Sequence, residues 1–222
     1  MNGNSNTTHG RIAFTEYDLA NGLHVILSED HKAPIVCVNI AYHVGSKNET
    51  PERAGFAHLF EHLLFEGSTN VGRGDFDKYI TEAGGFDNAY TTEDKTNYYE
   101  VLPAHQLELA LWLESDRMLG FVLGEESLRT QKDVVKEEKR ERYDNTPYGT
   151  LSEKMMRLAY TSFPYKWTVI GDMNTIEAAT LSDVKDFYAT FYAPSNATLV
   201  VSGDLDITEA KILIEKYFGP IP

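Results

Sequence analysis

The sequence predicts an α+β protein in which a mostly antiparallel sheet is covered by helices. Three observations lead there. Residues 14–30 (FTEYDLANGLHVILSED) read as two strands around Asn21-Gly22, a dipeptide suited to the positive backbone angles of a tight hairpin turn. Further strands and helices follow in irregular order. The helical patterns also gather in long runs instead of alternating one for one with strands, which disfavours a doubly wound parallel sheet.

Taken in order, residues 34–44 (PIVCVNIAYHV) alternate β-branched and aromatic residues with smaller ones until Gly45-Ser46, as a third strand does. The spacing then turns helical over 54–65, passes through the loop GSTNVGRG, and is helical again over 75–83 until Gly84-Gly85 stops it. Strands are expected over 86–91 and 97–102, joined by a polar turn. Apolar stripes at three-to-four spacing predict helices over 104–119, 125–143 and 150–159. After an irregular stretch at 162–175 come a helix over 182–191, a strand over 197–202 and a last helix over 208–218.

The 222 residues show no break in composition, so the expectation is one domain over 11–222 preceded by a polar, disordered segment at 1–10. Hydrophobic residues at 42% supply enough material for a substantial core. A formal net charge of -14 argues against nucleic acid and anionic membranes as partners, because their phosphates would be repelled. Cys37 is the only cysteine, which excludes an internal disulfide framework and a cysteine-rich metal site. No run of about 18 apolar residues exists and Met1–Gly10 is polar, so neither a transmembrane helix nor a signal peptide is expected. A soluble chain follows, cytoplasmic or, if a signal was removed, periplasmic.

Chemistry concentrates in H-L-F-E-H at residues 58–62. Four residues on a helix amount to about 40° of rotation, so the imidazoles of His58 and His62 leave the same face and can clamp one ion. Glu61 lies about 60° from His58, within reach of a water beside that ion without being required as a ligand. Zinc suits imidazole donors, and a three-ligand site leaves a position for water. A third ligand must come from elsewhere, and helix 125–143 offers several glutamates. With Val134 set at zero, Glu138 falls at about 40°, inside the apolar stripe, whereas Glu137 falls at about -60°, off it. A carboxylate pushed toward the core is costly unless paired or metal-bound, which makes Glu138 the first choice and Glu141 the second.

H-x-x-E-H is the inverted form of a zinc-peptidase signature. With it, and with Glu138, the chain resembles the pitrilysin and insulinase family of metallopeptidases, which includes the mitochondrial processing peptidase. The likeness runs through LANGLHVILSED, HVGSKNE, HLFEHLLFEGST, GGFDNAYTTEDKTNYY, DVVKEEKRERYDN, YAPSNATLVVSGD and KYFGPIP, in that order along nearly the whole chain. It implies the family's αβ sandwich, zinc held by His58, His62 and Glu138, and Glu61 as general base of a metalloendopeptidase. It also implies that Asn88, Ala89 and Tyr90 lie on an edge strand that pairs with a peptide substrate. Asp94 is expected to orient a ligand histidine from behind. Gln131 stands where several relatives carry a second glutamate, seven residues before the ligand, which reduces any electrostatic help from that position. Family members enclose substrate between at least two such domains, so a second homologous domain or partner subunit is expected, and activity of this part alone is expected to be weak or absent. The competing readings are a non-catalytic binding subunit of a peptidase pair and a zinc-dependent lyase on a related fold.

Overall fold

A computed structural model describes residues 12–222; the expectation of disorder over 1–10 lies outside them. Strands β1 (Thr15–Asp18), β2 (His24–Glu29), β3 (Ile35–Tyr42), β4 (Phe86–Thr91), β5 (Thr96–Pro103) and β6 (Ala197–Gly203) form one sheet in the order β1-β2-β6-β3-β5-β4. All neighbours are antiparallel except β2 and β6, which run parallel. Both β4 and β1 are edges, and β4 is the one beside the histidine helix.

Strand alternation decides which face is covered. Val25, Leu27, Val36, Val38, Ile40, Tyr42, Leu199 and Val201 are buried on one face, while Ile26, Cys37, Asn39 and Val200 on the other are only partly so. Helices α1 (Phe56–Leu63) and α2 (Asp75–Glu82) lie between β3 and β4; α3 (Leu107–Leu119), α4 (Glu125–Lys139), α5 (Leu151–Ala159), α6 (Met173–Ala178) and α7 (Leu181–Phe191) lie between β5 and β6; and α8 (Ile207–Phe218) follows β6. Of these, α3 packs on β3 and β5, α8 on β2, and α1 on β4 and β5. Burying the apolar stripes of α1, α3 and α8 against one sheet face is the two-layer solution that such a pattern allows.

Most expected elements stand within a residue or two of their bounds, with three differences. The first turn is wider than a tight Asn-Gly hairpin. It runs from Leu19 to Leu23, only Gly22 takes a positive φ (91°), and Asn21 instead spends its amide on the carbonyls of Phe218 and Ile221, tying the hairpin to the end of α8. Secondly, α4 ends at Lys139, not at Tyr143, and opens into a wide π turn over Arg140–Asp144. Finally, the stretch expected to be irregular ends in the first turn of α6, which runs on to Ala178 and whose six residues are too few for a periodic stripe.

Two features hold the histidine helix. The N-terminus of α1 has no side-chain cap of its own, since Gly55 occupies that position at φ 97°. A Cβ there would also come within 2.8 Å of the Ile170 carbonyl, so glycine answers both constraints. The orphan N–H groups go to Glu49, whose Oε2 accepts from Gly55 (2.9 Å) and whose Oε1 accepts from Ala57 (2.8 Å). Below the C-terminal end of α1, the buried Arg117 guanidinium lies 4.0 Å from the ring centre of Phe76, 4.6 Å from Tyr98 and 4.9 Å from Phe65. Its one ion pair is with the equally buried Glu114, 3.3 Å away on the same helix. That cation joins α2, β5 and the segment after α1 through ring faces.

Candidate metal centre

Helix α1 brings His58 and His62 to one side, and α4 crosses it there. The Nε2 atoms of the two histidines are 3.3 Å apart. Glu138 Oε2 lies 3.5 Å from Nε2 of His58 and 3.3 Å from Nε2 of His62. Three donor atoms thus form a nearly equilateral triangle. A tetrahedral zinc with bonds of about 2.0–2.1 Å has ligand-to-ligand edges of about 3.3 Å, so these atoms fit the ion without rearrangement. Among the described residues this is the one group of three or more potential metal-binding side chains with donor atoms gathered so closely.

The electrostatics suit a cation. Burial pushes the pKa of His58 down to about 4, assisted by the neighbouring His62 and opposed by Glu138, so the ring is neutral near pH 7 and offers its lone pair. The hydrogen bond from His62 keeps the Glu138 carboxyl below the usual carboxylate range, against its partial burial. His58 Nδ1 is buried and has no hydrogen-bond partner.

The reading of α4 by helical phase picks the right glutamate on an imperfect stripe. Val134 is exposed and Val135 is fully buried, so the packed face centres on Leu128 and Val135. Glu138 therefore sits at the border of that face, with its side chain 15% exposed, where it can meet both α1 and the solvent. Glu141, the second choice, is exposed in the wide turn. Gln131 is one face-repeat before Glu138, and its Nε2 donates a 2.6 Å hydrogen bond to Oε1 of Glu66, itself one turn beyond His62. It serves as a strut between α4 and the end of α1.

Glu61 points toward the edge strand. Its Oε2 accepts a 2.6 Å hydrogen bond from the Thr91 hydroxyl, and burial raises its pKa while that bond lowers it. Thr91 was not singled out by sequence reasoning. The period of two along β4 puts Asp87, Ala89 and Thr91 on the half-buried face, but only the docking of α1 against β4 shows that Glu61 meets it. Asn88, Ala89 and Tyr90 do lie on the edge strand, with Ala89 on the helix side and the other two outward. The Ala89 N–H donates to the Asn88 side chain (2.8 Å), so it faces the open edge and not β5.

Asp94 requires a correction. It lies in the β4–β5 turn, exposed, with Lys47 (2.7 Å) and the Tyr165 hydroxyl (2.7 Å) on its two oxygens. Both acceptor atoms face that loop cluster, and no contact with either histidine exists to carry an orienting role. At this end of β4 it is Thr91, the last residue of the strand, that reaches Glu61.

The chain is similar to proteins of one known family. Residues 24–172 match the family described as insulinase (peptidase family M16), and residues 178–222 match the peptidase M16 inactive domain. The chain is 38% identical over 201 residues to a zinc protease, PqqE, of Helicobacter pylori, a match covering 90% of this chain and 45% of that protein. It is 28% identical to the mitochondrial-processing peptidase subunit beta of Saccharomyces cerevisiae, over 92% of this chain and 44% of that one. A protease from Helicobacter pylori of known crystal structure superimposes with a TM-score of 0.92 at 36% identity, covering 95% of this chain and 51% of its own. The chain thus spans about half the length of these relatives.

Proposed function

The chain belongs to the insulinase family of zinc-dependent metallopeptidases, peptidase family M16, and from that premise we propose that it is the metal-bearing part of an endopeptidase acting on peptides or unfolded polypeptide segments. The observation that supports this most is the triangle of His58, His62 and Glu138 donor atoms, with edges of 3.3 to 3.5 Å. Zinc held by them would polarise the scissile carbonyl and make a water more acidic. Glu61, beside that triangle, acts as general base, taking a proton from the attacking water and returning it to the leaving amine. Its burial favours the first of these steps, because a carboxylate whose pKa is raised is a stronger base toward the water than one in bulk solvent.

Substrate is held in extended form by adding a strand to β4, with the outward N–H of Ala89 as one donor and the Asn88 and Tyr90 side chains on the far face. The Thr91 to Glu61 hydrogen bond places the base at the end of that strand, which sets where a peptide lying on it is cut. Residues 11–222 act as one domain, working with a second homologous domain or a partner subunit that closes over the substrate. No helix of the described residues is long and apolar enough to cross a membrane. The alternative of a non-catalytic binding subunit has all four site residues against it.

The deciding experiment pairs metal content with turnover. Glu61→Gln is expected to keep about one equivalent of zinc while losing roughly 10²- to 10⁴-fold in peptide cleavage, whereas His58→Ala and Glu138→Ala lose the zinc. Normal cleavage by Glu61→Gln would overturn the assignment, and full activity of this chain alone would remove the need for a second domain.

A further inference from the structure

The carboxylate of Glu138 faces two ways. Its Oε2 lies against the two imidazoles, while its Oε1 is 2.7 Å from Nη1 of Arg142. The contrast in exposure is large, 15% for the Glu138 side chain and 72% for that of Arg142, so a cation reaches in from solvent to hold the oxygen the histidines do not meet. The wide turn after α4 carries this cation, closed by the Asn145 N–H on the Arg140 carbonyl at 2.8 Å. Such π turns interrupt a helix at a cost and recur at functional sites. The other cations of this stretch are engaged elsewhere. Arg140 pairs with Glu137 at 2.9 Å, and Lys139 reaches the Gly171 carbonyl at 3.2 Å.

We propose that Arg142 is a positioning residue that reserves Oε1 of Glu138, so that this ligand offers a bound metal one oxygen and not two. The inference rests on the metal-centre reading above. A carboxylate beside a divalent ion can give it either oxygen or both, and a second oxygen would raise the coordination number and crowd the position that a catalytic site leaves to water. A charge-assisted hydrogen bond from a guanidinium competes for that oxygen directionally, because its N–H groups are fixed in a plane. Partners of ligands that act in this way govern metal-site chemistry without touching the metal.

The sign of the effect on affinity separates this role from a merely structural one. Arg142 brings a positive charge toward a dication, so its removal relieves repulsion and frees a donor atom; metal binding is then expected to stay as tight or become tighter while turnover falls. A residue that only held the turn together would lose affinity and folding stability in parallel.

Cobalt(II) is the probe, with the protein including whatever second half completes it. Wild type is expected to show the intense visible absorption of a four-coordinate site. Arg142→Ala should show the weaker absorption of a higher-coordinate one, with cobalt affinity undiminished, melting temperature unchanged, and peptide turnover lower by about 10- to 100-fold at constant KM. Arg142→Lys, a point charge without the planar fork, should fall between them. A cobalt spectrum of Arg142→Ala identical to wild type, or weakened binding together with a lowered melting temperature, overturns the proposal. Wild-type protein that takes up no cobalt overturns the metal reading itself, and this inference with it.

Discussion

The hydroxyl of Thr91 donates a 2.6 Å hydrogen bond to Oε2 of Glu61, joining the last residue of the open edge strand to the carboxylate beside the two histidines. Strand and base are therefore linked directly, and a peptide pairing with β4 would lie in register with the group proposed to act on its bond.

Replacing Thr91 by Val removes the donor and keeps the shape. The bond lowers the pKa of Glu61 against the upward push of burial, so its loss raises that pKa further. Glu61 must be ionised to accept a proton, and activity disappears as pH falls through its pKa. The acid limb of the kcat profile is expected to move to higher pH in Thr91→Val, measured by peptide cleavage across pH 4 to 8. An unmoved limb would detach Thr91 from the base.

Ala89 tests the edge-strand reading. Its N–H faces outward onto the Asn88 side chain, so Ala89→Pro deletes a donor available to substrate and no bond of the ladder to β5. Peptide binding is expected to weaken about 3- to 10-fold, the worth of roughly one hydrogen bond, at near-constant melting temperature. A KM equal to wild type would mean that substrate does not extend the sheet there.

Glu49 gives a pH-dependent stability. Burial pushes its pKa up to about 8, against the backbone N–H groups of Ala57 and Gly55 that pull it down. A carboxyl whose folded pKa exceeds its unfolded value stabilises fully below the unfolded value, and that stabilisation is lost as pH rises through the folded one. The stability advantage of wild type over Glu49→Gln is thus expected to shrink between pH 4.5 and about 8, followed by denaturant midpoints of metal-free protein. An advantage that grows with pH would show the two N–H groups to prevail and the carboxylate to be ionised.

Much of this architecture is written locally. The alternation in β3 and the helical spacing of α1 decide their own secondary structure, because burial on one face requires those periods and no distant residue alters them. Short α6 escaped for the same reason, having too few turns to show a period. Val134 falls within the stripe read from the sequence yet is exposed, because two adjacent valines fit a helix equally well until the neighbour that covers one of them is known.

Sequence pattern alone carried most element types, the shared face of His58 and His62, and the glutamate that a packed helix could not carry without a partner, since these follow from the fixed geometry of one element. It assigned Asp94 to the histidines, and the fold instead turned that carboxylate toward Lys47 and Tyr165. Docking and helix ends set the rest: α4 crosses α1 with Glu138 Oε2 3.3 Å from His62, Thr91 meets Glu61, and Arg142 holds the other oxygen of Glu138. Each of those contacts joins side chains whose separation depends on how a helix docks or where it ends, and packing between elements sets that, not the period within any one of them.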